Sequence, residues 1–255
     1  MTSLATGLAS KLKPGSIVLK SAVLSIDQSR TGNVLVTVRG GQQYRARKVI
    51  ISVPTPLLQD IRFSPLLPEK ARQLSQSTSL GTYSKAILRY SEPWWTRSAL
   101  CGLTQSFVGP VSSTRDTSNA SLGHYSLTCF IVGEPARIWA ELPSQERRQQ
   151  VLDQLADIFG PKHATEARDP LEYFEEELSK EEFSKGAPCP VTVPGILSGL
   201  GNVLGSTFQD VHFVGTETGR SWKGYMEGAL ESGERGAGEI VDALGVKAKT
   251  PQARL

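Results

Sequence analysis

The sequence lacks the features that mark membrane, secreted and nucleic-acid-binding proteins. No hydrophobic run approaches the ~20 residues of a transmembrane helix, and the N-terminus lacks the apolar core of a signal peptide. The three cysteines are not spaced as a disulfide framework, which favours reduced thiols in an intracellular compartment. The net charge is only +3 and the basic residues are scattered, so no nucleic-acid face is indicated. We therefore expect a soluble intracellular protein that binds neither membranes nor nucleic acid.

Histidine is also scarce, with three residues spread along the chain. The strongly acidic stretch 168–182 contains no histidine or cysteine that could complete a typical zinc site. We therefore predict no metal site and interpret this stretch as a solvated acidic face.

Helices and strands are predicted along most of the chain. Hydrophobic periodicity predicts helices over 2–12, 66–77 and 147–159, the last capped by Ser144, and strand material over 17–19, 23–26, 34–38, 48–53, 80–90 and 122–132. Strands mixed with helices in this order predict an α/β or α+β fold. The glycine-rich segment 199–205 has the wrong spacing for a dinucleotide-binding motif and no preceding strand, so we predict a loop there.

One stretch near the C-terminus organises the chain. A short apolar run over 211–214 predicts a buried strand, 216–224 is polar and rich in glycine, and helical spacing runs from Tyr225 to Leu244. Each helical glycine costs about 1 kcal/mol relative to alanine. This helix has four, Gly228, Gly233, Gly236 and Gly238. They predict a very close neighbour, which is either a ligand above the backbone or a tightly packed sheet.

These residues resemble a known flavin-binding signature. The segments Gly215-Thr-Glu-Thr218, Trp222-x-Gly-Tyr-Met-Glu-Gly228 and Ser232-Gly-Glu-Arg235 are similar to the C-terminal signature of the flavin-containing monoamine oxidases. In that family the turn and helix N-terminus hold the flavin ring of FAD, and the tyrosine faces the substrate amine. The resemblance implies cofactor-binding roles for the residues at the matching positions, which are Gly215, Thr216, Glu217, Gly224, Tyr225 and Met226. It also implies a catalytic role for Tyr225 beside the amine.

The resemblance extends to two residues of the strands. Val23 matches a valine that contacts the adenosine end of FAD, although sheet core explains a valine equally well. Lys85 lies in an apolar strand ahead of Pro93-Trp-Trp95, where the family has a lysine that holds a water against the flavin N5 atom. A lysine in such a strand is otherwise a surface group whose stem lies along apolar neighbours. We favour the catalytic role for Lys85.

The sequence departs from the family at several positions. The cysteine that carries the covalent flavin bond in the animal enzymes is replaced by Ala187, and Cys189 lies two residues later. We therefore expect non-covalent FAD, as in the fungal branch of the family. An aromatic wall of the substrate cage falls at Pro188, and an upstream tryptophan is replaced by Leu178, so the substrate range is left open.

The family's opening Gly-x-Gly-x-x-Gly strand and helix do not occur in these 255 residues. We therefore expect the C-terminal portion of a two-domain FAD-dependent amine oxidase fold without its N-terminal Rossmann βαβ unit. The predicted domain division is 1–74 and 180–244 for the FAD-binding domain, 75–179 for the substrate domain and 245–255 for a flexible tail.

Two functions remain open. The resemblance implies FAD-dependent oxidation of a primary amine by oxygen to an imine and aldehyde, with release of ammonia and hydrogen peroxide. The alternative is a non-catalytic relic or interaction module that does not bind FAD. The terminal Ala253-Arg254-Leu255 is similar to a peroxisomal signal, which implies a peroxisomal location and an import receptor as partner. The alternative is a frayed terminus without a targeting role, in a cytoplasmic protein.

Overall fold

The computed structural model describes residues 2–246. The helices are α1 (Thr2–Ala9), α2 (Glu69–Gln76), α3 (Gly133–Ala140), α4 (Ser144–Phe159), α5 (Ala164–Arg168), α6 (Ile196–Leu200) and α7 (Met226–Ala243). The strands are β1 (Val23–Asp27), β2 (Val34–Val38), β3 (Gln43–Ala46), β4 (Val49–Ile51), β5 (Arg62–Ser64), β6 (Thr78–Leu80), β7 (Tyr83–Tyr90), β8 (Thr104–Gln105), β9 (Val111–Asp116), β10 (Tyr125–Val132), β11 (Glu172–Glu177), β12 (Pro190–Thr192) and β13 (Val211–Phe213). Among these residues no helix has both the length and the hydropathy needed to cross a membrane.

The chain divides into two compact units. Of the described residues, unit 1 contains those up to Val53, Leu57–Gln76 and those from Gly195 onward, whereas unit 2 contains Pro54–Pro56 and Ser77–Pro194. This division differs from the predicted domains by a few residues at 54–56 and 75–76, and by the longer segment 180–194, which the structure places with unit 2. The reason is that β12 pairs antiparallel with β6, so this segment is joined by backbone hydrogen bonds to the start of unit 2.

Unit 1 contains two small sheets. One has the order β3-β2-β1-β5, in which β1 pairs antiparallel with β2 and parallel with β5. The other is a parallel pair of β4 and β13, with Val49 opposite Val211. Their apolar faces share one core around Ile26 and Phe63, and Val211 lies in it. The two sheets thus fix the place from which the chain enters the turn after β13.

Unit 2 contains, besides the β6–β12 pair, a five-stranded antiparallel sheet with helices on one face. The strand order is β11-β7-β10-β9-β8. Alternate residues of β7 from Ser84 to Tyr90 are buried. Its buried apolar residues share a core with Trp139 of α3 and Leu155 of α4. The residues between them, including Lys85, therefore lie on the opposite face of the sheet.

The acidic stretch is the main error of the sequence prediction in unit 2. Residues 172–177 form the edge strand β11, and alternate side chains are shielded rather than solvated. The side chains of Glu175 and Glu177 are only 13% and 11% exposed. Arg147 of α4 donates from Nε to Glu175 at 2.9 Å, and its Nη1 forms an ion pair with Glu177 at 2.6 Å. The buried carboxylates are tolerated because a charged partner reaches them from another element.

Other differences are local. Helix α4 begins at Ser144, whose hydroxyl donates to Glu175 at 3.2 Å instead of capping the helix. Residues 17–19 form no strand, and their side chains are more than half exposed. The predicted loop at 199–205 instead contains the end of α6 and a short 3-10 turn at Gly201–Val203.

Candidate functional site

The candidate site is the connection between β13 and α7 in unit 1. The strand ends at Phe213, and Gly215 follows with a φ of 123°, a backbone conformation that side chains rarely adopt. Residues Thr216–Thr218 then form a single 3-10 turn, and an exposed loop leads to α7. A glycine at 215 lets the chain leave the buried strand at this angle.

Hydrogen bonds from both ends hold this turn. The Gly215 N–H donates to the Ser232 hydroxyl at 3.0 Å. Ser232 lies in α7, so the helix holds the residue at which the turn begins. The Thr216 hydroxyl donates to the carbonyl of Tyr225 at 2.7 Å, and the Thr218 hydroxyl donates back to the Gly215 carbonyl at 2.9 Å. The predicted site residues Gly215, Thr216 and Tyr225 are therefore brought together in one hydrogen-bonded loop.

A carboxylate of α7 holds the next part of the loop, and the sequence analysis did not predict this contact. Glu231 accepts the N–H groups of Arg220 and Ser221, one on each oxygen, both at 3.1 Å. Two backbone donors on one carboxylate fix a polar loop that would otherwise be free to move. A glutamate at this helical position gives no local signal, because its partners lie ten and eleven residues earlier.

The glycines of α7 fall into two kinds. A Cβ added at Gly228 would lie 2.4 Å from the carbonyl oxygen of Trp222, and one at Gly236 would lie 2.4 Å from a methyl carbon of Val214. At Gly233 and Gly238 no atom of the part of the chain that the structure describes lies within 4 Å of an added Cβ. The expectation of a close neighbour is therefore correct for two of the four, and in both cases that neighbour is the protein's own strand and loop.

An exposed aromatic surface lies where α7 begins. Trp222 and Tyr225 are 64% and 66% exposed, with ring centroids 5.8 Å apart and planes at 87°, and Met226 is 45% exposed. Tyr225 precedes the first helical residue, and no side chain caps the N–H groups of the first turn. Those N–H groups point away from the helix at its positive end. Adjacent exposed apolar side chains beside a polar loop mark a candidate place for a ligand.

The residues present fit a flavin. A flavin ring is planar and aromatic, and its carbonyl oxygens and ring nitrogens accept hydrogen bonds. The exposed rings of Trp222 and Tyr225 offer a surface on which such a ring can pack, and the uncapped N–H groups of α7 offer donors to its oxygens. Glu217 and Gly224 lie in the same loop, half-buried and exposed respectively. Val23 begins β1 and packs half-buried against the core of unit 1.

Lys85 lies in unit 2, in the middle of β7. It faces Phe130 of β10 on one side and Glu176 of β11 on the other. Its ammonium nitrogen lies 5.5 Å from the centroid of the Phe130 ring and 5.7 Å from that of Tyr83. Aromatic faces attract a cation at this range, so they hold the ammonium group on the face of the sheet away from the helices.

The segment around Ala187 is pressed against the start of β7. The Ala187 N–H donates to the Gly81 carbonyl at 3.0 Å, and a Cβ on Gly81 would lie 2.6 Å from the Ala187 carbonyl oxygen. A Cβ on Gly186 would likewise lie 2.5 Å from the Gly81 carbonyl oxygen. Both glycines are required for the close approach of the two backbone segments. The sequence did not predict this role for Gly81. Cys189 is a free thiol of intermediate exposure.

Comparison with known proteins identifies the class. Residues 1–241 match the family described as flavin containing amine oxidoreductase. The chain therefore belongs to this family of flavin-dependent oxidoreductases, as the C-terminal signature predicted.

Particular relatives are flavin-containing amine oxidases. The chain is 36% identical to amine oxidase B of Homo sapiens and 32% identical to amine oxidase A of Canis lupus familiaris, in each case over 231 residues and 90% of its own length. It spans 44% and 43% of those two proteins, which is less than half of their length.

Solved structures confirm the predicted fold. A putrescine oxidase bound to putrescine superposes with a TM-score of 0.87 at 26% identity, over 95% of this chain and 53% of that one. Cyclohexylamine oxidase from Brevibacterium oxydans gives 0.88 at 29% identity, over 95% and 52%. The structure is thus about half of the FAD-dependent amine oxidase fold.

Proposed function

We propose that the protein to which this chain belongs oxidises a primary amine with oxygen. The amine becomes an imine, water converts the imine to an aldehyde and ammonia, and oxygen takes up two electrons and two protons to become hydrogen peroxide. FAD, when bound, supplies the acceptor for hydride from the amine carbon and the route of the electrons to oxygen. The observation that supports this proposal most is the exposed Tyr225–Met226 surface on a turn fixed by Ser232.

The residues of this chain would position the reactants. Backbone N–H groups at the start of α7 would hold the flavin ring, and Gly215, Thr216 and Glu217 would shape the turn beside it. Tyr225 would present its ring to the neutral amine and exclude water from it. Lys85 would hold a water molecule through its ammonium group. No acid–base pair is required from the protein, because the neutral amine is the reacting form.

We further propose that FAD is held without a covalent bond. The residue at the family's position of covalent attachment is Ala187, which has no thiol. Its backbone N–H is hydrogen-bonded to the Gly81 carbonyl, which fixes the position of this segment. FAD should therefore leave the protein on acid denaturation. Flavin absorbance that stays with the acid-precipitated protein would contradict this, and Cys189 would then be the first residue to substitute.

The test requires a protein that can hold FAD. The 255-residue chain contains no glycine-rich pyrophosphate cradle, so alone it should bind FAD weakly or not at all. We therefore suggest a chimera in which the N-terminal half of a related amine oxidase precedes residue 1. Flavin absorbance of the purified chimera measures binding, and peroxide release with a panel of primary amines measures activity.

Matched variants of the chimera test the role of Tyr225. Tyr225→Leu should lower kcat/KM for the best amine about tenfold or more, a loss of about 1.4 kcal/mol in transition-state stabilisation, while FAD stays bound. Phe107→Leu, at an aromatic residue that is 94% exposed in unit 2, is the control and should change nothing. A chimera that holds FAD but is not reduced by any amine in the absence of oxygen contradicts the proposed function. If the chain folds but binds no FAD, either alone or in the chimera, the result favours the non-catalytic alternative.

A further inference from the structure

Arg235 of α7 joins the helix to both ends of the turn. One nitrogen of its guanidinium, Nη2, donates to the Phe213 carbonyl at the end of β13 and to the Thr218 hydroxyl at the end of the 3-10 turn, both at 2.9 Å. The Thr218 hydroxyl donates in turn to the Gly215 carbonyl. A single side chain therefore connects the strand before the turn with the last residue of the turn.

The guanidinium is held from behind by a carboxylate. Its other nitrogen, Nη1, donates to Glu239 Oε1 at 2.6 Å. The second oxygen of Glu239 lies 2.9 Å from Nδ1 of His212, so Nδ1 carries the proton that this oxygen accepts. His212 lies on β13 and is only 4% exposed. Burial tends to raise the pKa of Glu239, but the hydrogen bonds from His212 and Arg235 outweigh it and lower that pKa. The carboxylate thus stays charged and fixes the direction of the arginine fork.

The loop at Gly205 closes the remaining side of Arg235. A Cβ on Gly205 would lie 3.2 Å from Arg235 Nη2 and 3.3 Å from Cβ of Thr218, and the φ of Gly205 is 74°. The side chain of Arg235 is 22% exposed. The guanidinium therefore has little room to take another orientation while Glu239 and the turn are in place.

We infer that Arg235 is a positioning residue for the flavin turn: held in place by Glu239 and His212, it sets the backbone conformation of residues 215–219 through its bonds to Phe213 and Thr218, and this turn would lie beside the cofactor. This inference rests on the proposed function, because it assigns Arg235 a role in the same site. Lysine cannot replace it. Two different nitrogens of the planar guanidinium donate to separate partners, whereas the ammonium group of lysine is a single point of charge.

The first experiment measures hydrogen exchange without FAD. In the native turn the Thr218 and Gly219 N–H groups donate to the carbonyls of Gly215 and Thr216. Arg235→Lys and Arg235→Gln should speed exchange in peptides that cover 213–219 about tenfold or more. Exchange in β7 and β10 of unit 2 should not change.

Arg137→Gln is the matched control. Arg137 is a helical arginine that is 56% exposed and paired with Glu134 and Glu141, and within the described residues 2–246 it bonds no backbone carbonyl of a turn. Its loss should leave exchange at 213–219 unchanged. Unchanged exchange at 213–219 in both Arg235 variants, or equally faster exchange throughout both units, overturns the inference. Arg235→Lys keeps the positive charge, so it still tests the inference if Arg235→Gln does not fold.

The second experiment measures FAD affinity in the chimera. Arg235→Lys should weaken FAD binding about tenfold, and Arg137→Gln should not. Unchanged FAD affinity in Arg235→Lys overturns the positioning role even if the turn exchanges faster. Failure of the unsubstituted chimera to bind FAD refutes the proposed function instead, and hydrogen exchange then still decides whether Arg235 sets the turn.

Discussion

Substitution of Gly228 by alanine tests whether α7 must approach the loop as closely as the structure shows. The added Cβ would lie 2.4 Å from the Trp222 carbonyl oxygen, 3.0 Å from its carbon and 3.1 Å from the Thr216 hydroxyl oxygen. Ordinary contacts of a Cβ begin near 3.4 Å. Because the nearest obstacle is a backbone carbonyl, relief requires the loop itself to shift by about 1 Å, rather than a side chain to turn.

The size of the effect follows from a comparison within the same helix. Gly233 has no atom within 4 Å of an added Cβ, so Gly233→Ala should gain the helix-forming advantage of alanine, about 1 kcal/mol. Gly228→Ala gains a similar amount but also pays for overpacking, which typically costs about 1–3 kcal/mol. Since the helix-forming gain cancels, Gly228→Ala should be less stable than Gly233→Ala by about 1–3 kcal/mol.

The assay must report on unit 1 alone. Pulsed hydrogen exchange of peptides from α7 over a urea series gives the unfolding midpoint of that helix in each variant. Gly233→Ala should move the midpoint to higher urea and Gly228→Ala to lower urea, relative to the unsubstituted chain. A Gly228→Ala protein as stable as Gly233→Ala would refute the close approach.

Three further predictions concern other parts of the chain. Lys85→Met in a flavin-loaded chimera should slow reoxidation by oxygen more than reduction by amine in stopped-flow traces; equal slowing would make Lys85 merely structural. Mainly through the hydrogen bond from Lys48, the pKa of Asp210 is held below its ordinary value of 3.8, so its stabilisation is complete above that value and is lost as the pH falls through the lower folded pKa. Lys48→Met should therefore shift acid unfolding of unit 1, followed by circular dichroism, to higher pH; an unchanged midpoint contradicts the pairing. We also propose that residues 253–255, which lie outside the described residues, direct an N-terminal fluorescent fusion to peroxisomes of fungal cells; a diffuse signal unaffected by their deletion rejects this.

The parts of the fold that the sequence predicted are those with a strong local pattern. The alternating valines of β2 and the apolar run of β13 indicate strands without reference to distant residues. Helix α3 was missed because Gly133 and Pro135 open it and only Ala136, Trp139 and Ala140 are buried. Strand β11 was missed because its glutamates can be shielded only with Arg147, which lies far from it in the sequence.

The candidate site shows the same division. Its turn could be predicted because the signature over 215–228 is specific and contiguous. The roles of Glu231, Arg235 and Glu239 could not, since each depends on a hydrogen bond to a residue four or more positions away, often across the turn. The open surroundings of Gly233 and Gly238 were equally hidden, because a helical glycine looks the same in sequence whether or not its hydrogen is contacted.

The position of Lys85 in the sheet of unit 2 has a consequence for enzyme engineering. Strand β7 lies between β11 and β10, so its backbone is secured by two hydrogen-bonded ladders. Phe130 and Glu176, the residues that pair with the lysine across the sheet, belong to those flanking strands. A library that randomises positions 130 and 176 would therefore vary the surroundings of the ammonium group while its own strand stays in register. Under the proposed role of Lys85 in reoxidation by oxygen, variants with altered oxygen reactivity would be sought in such a library.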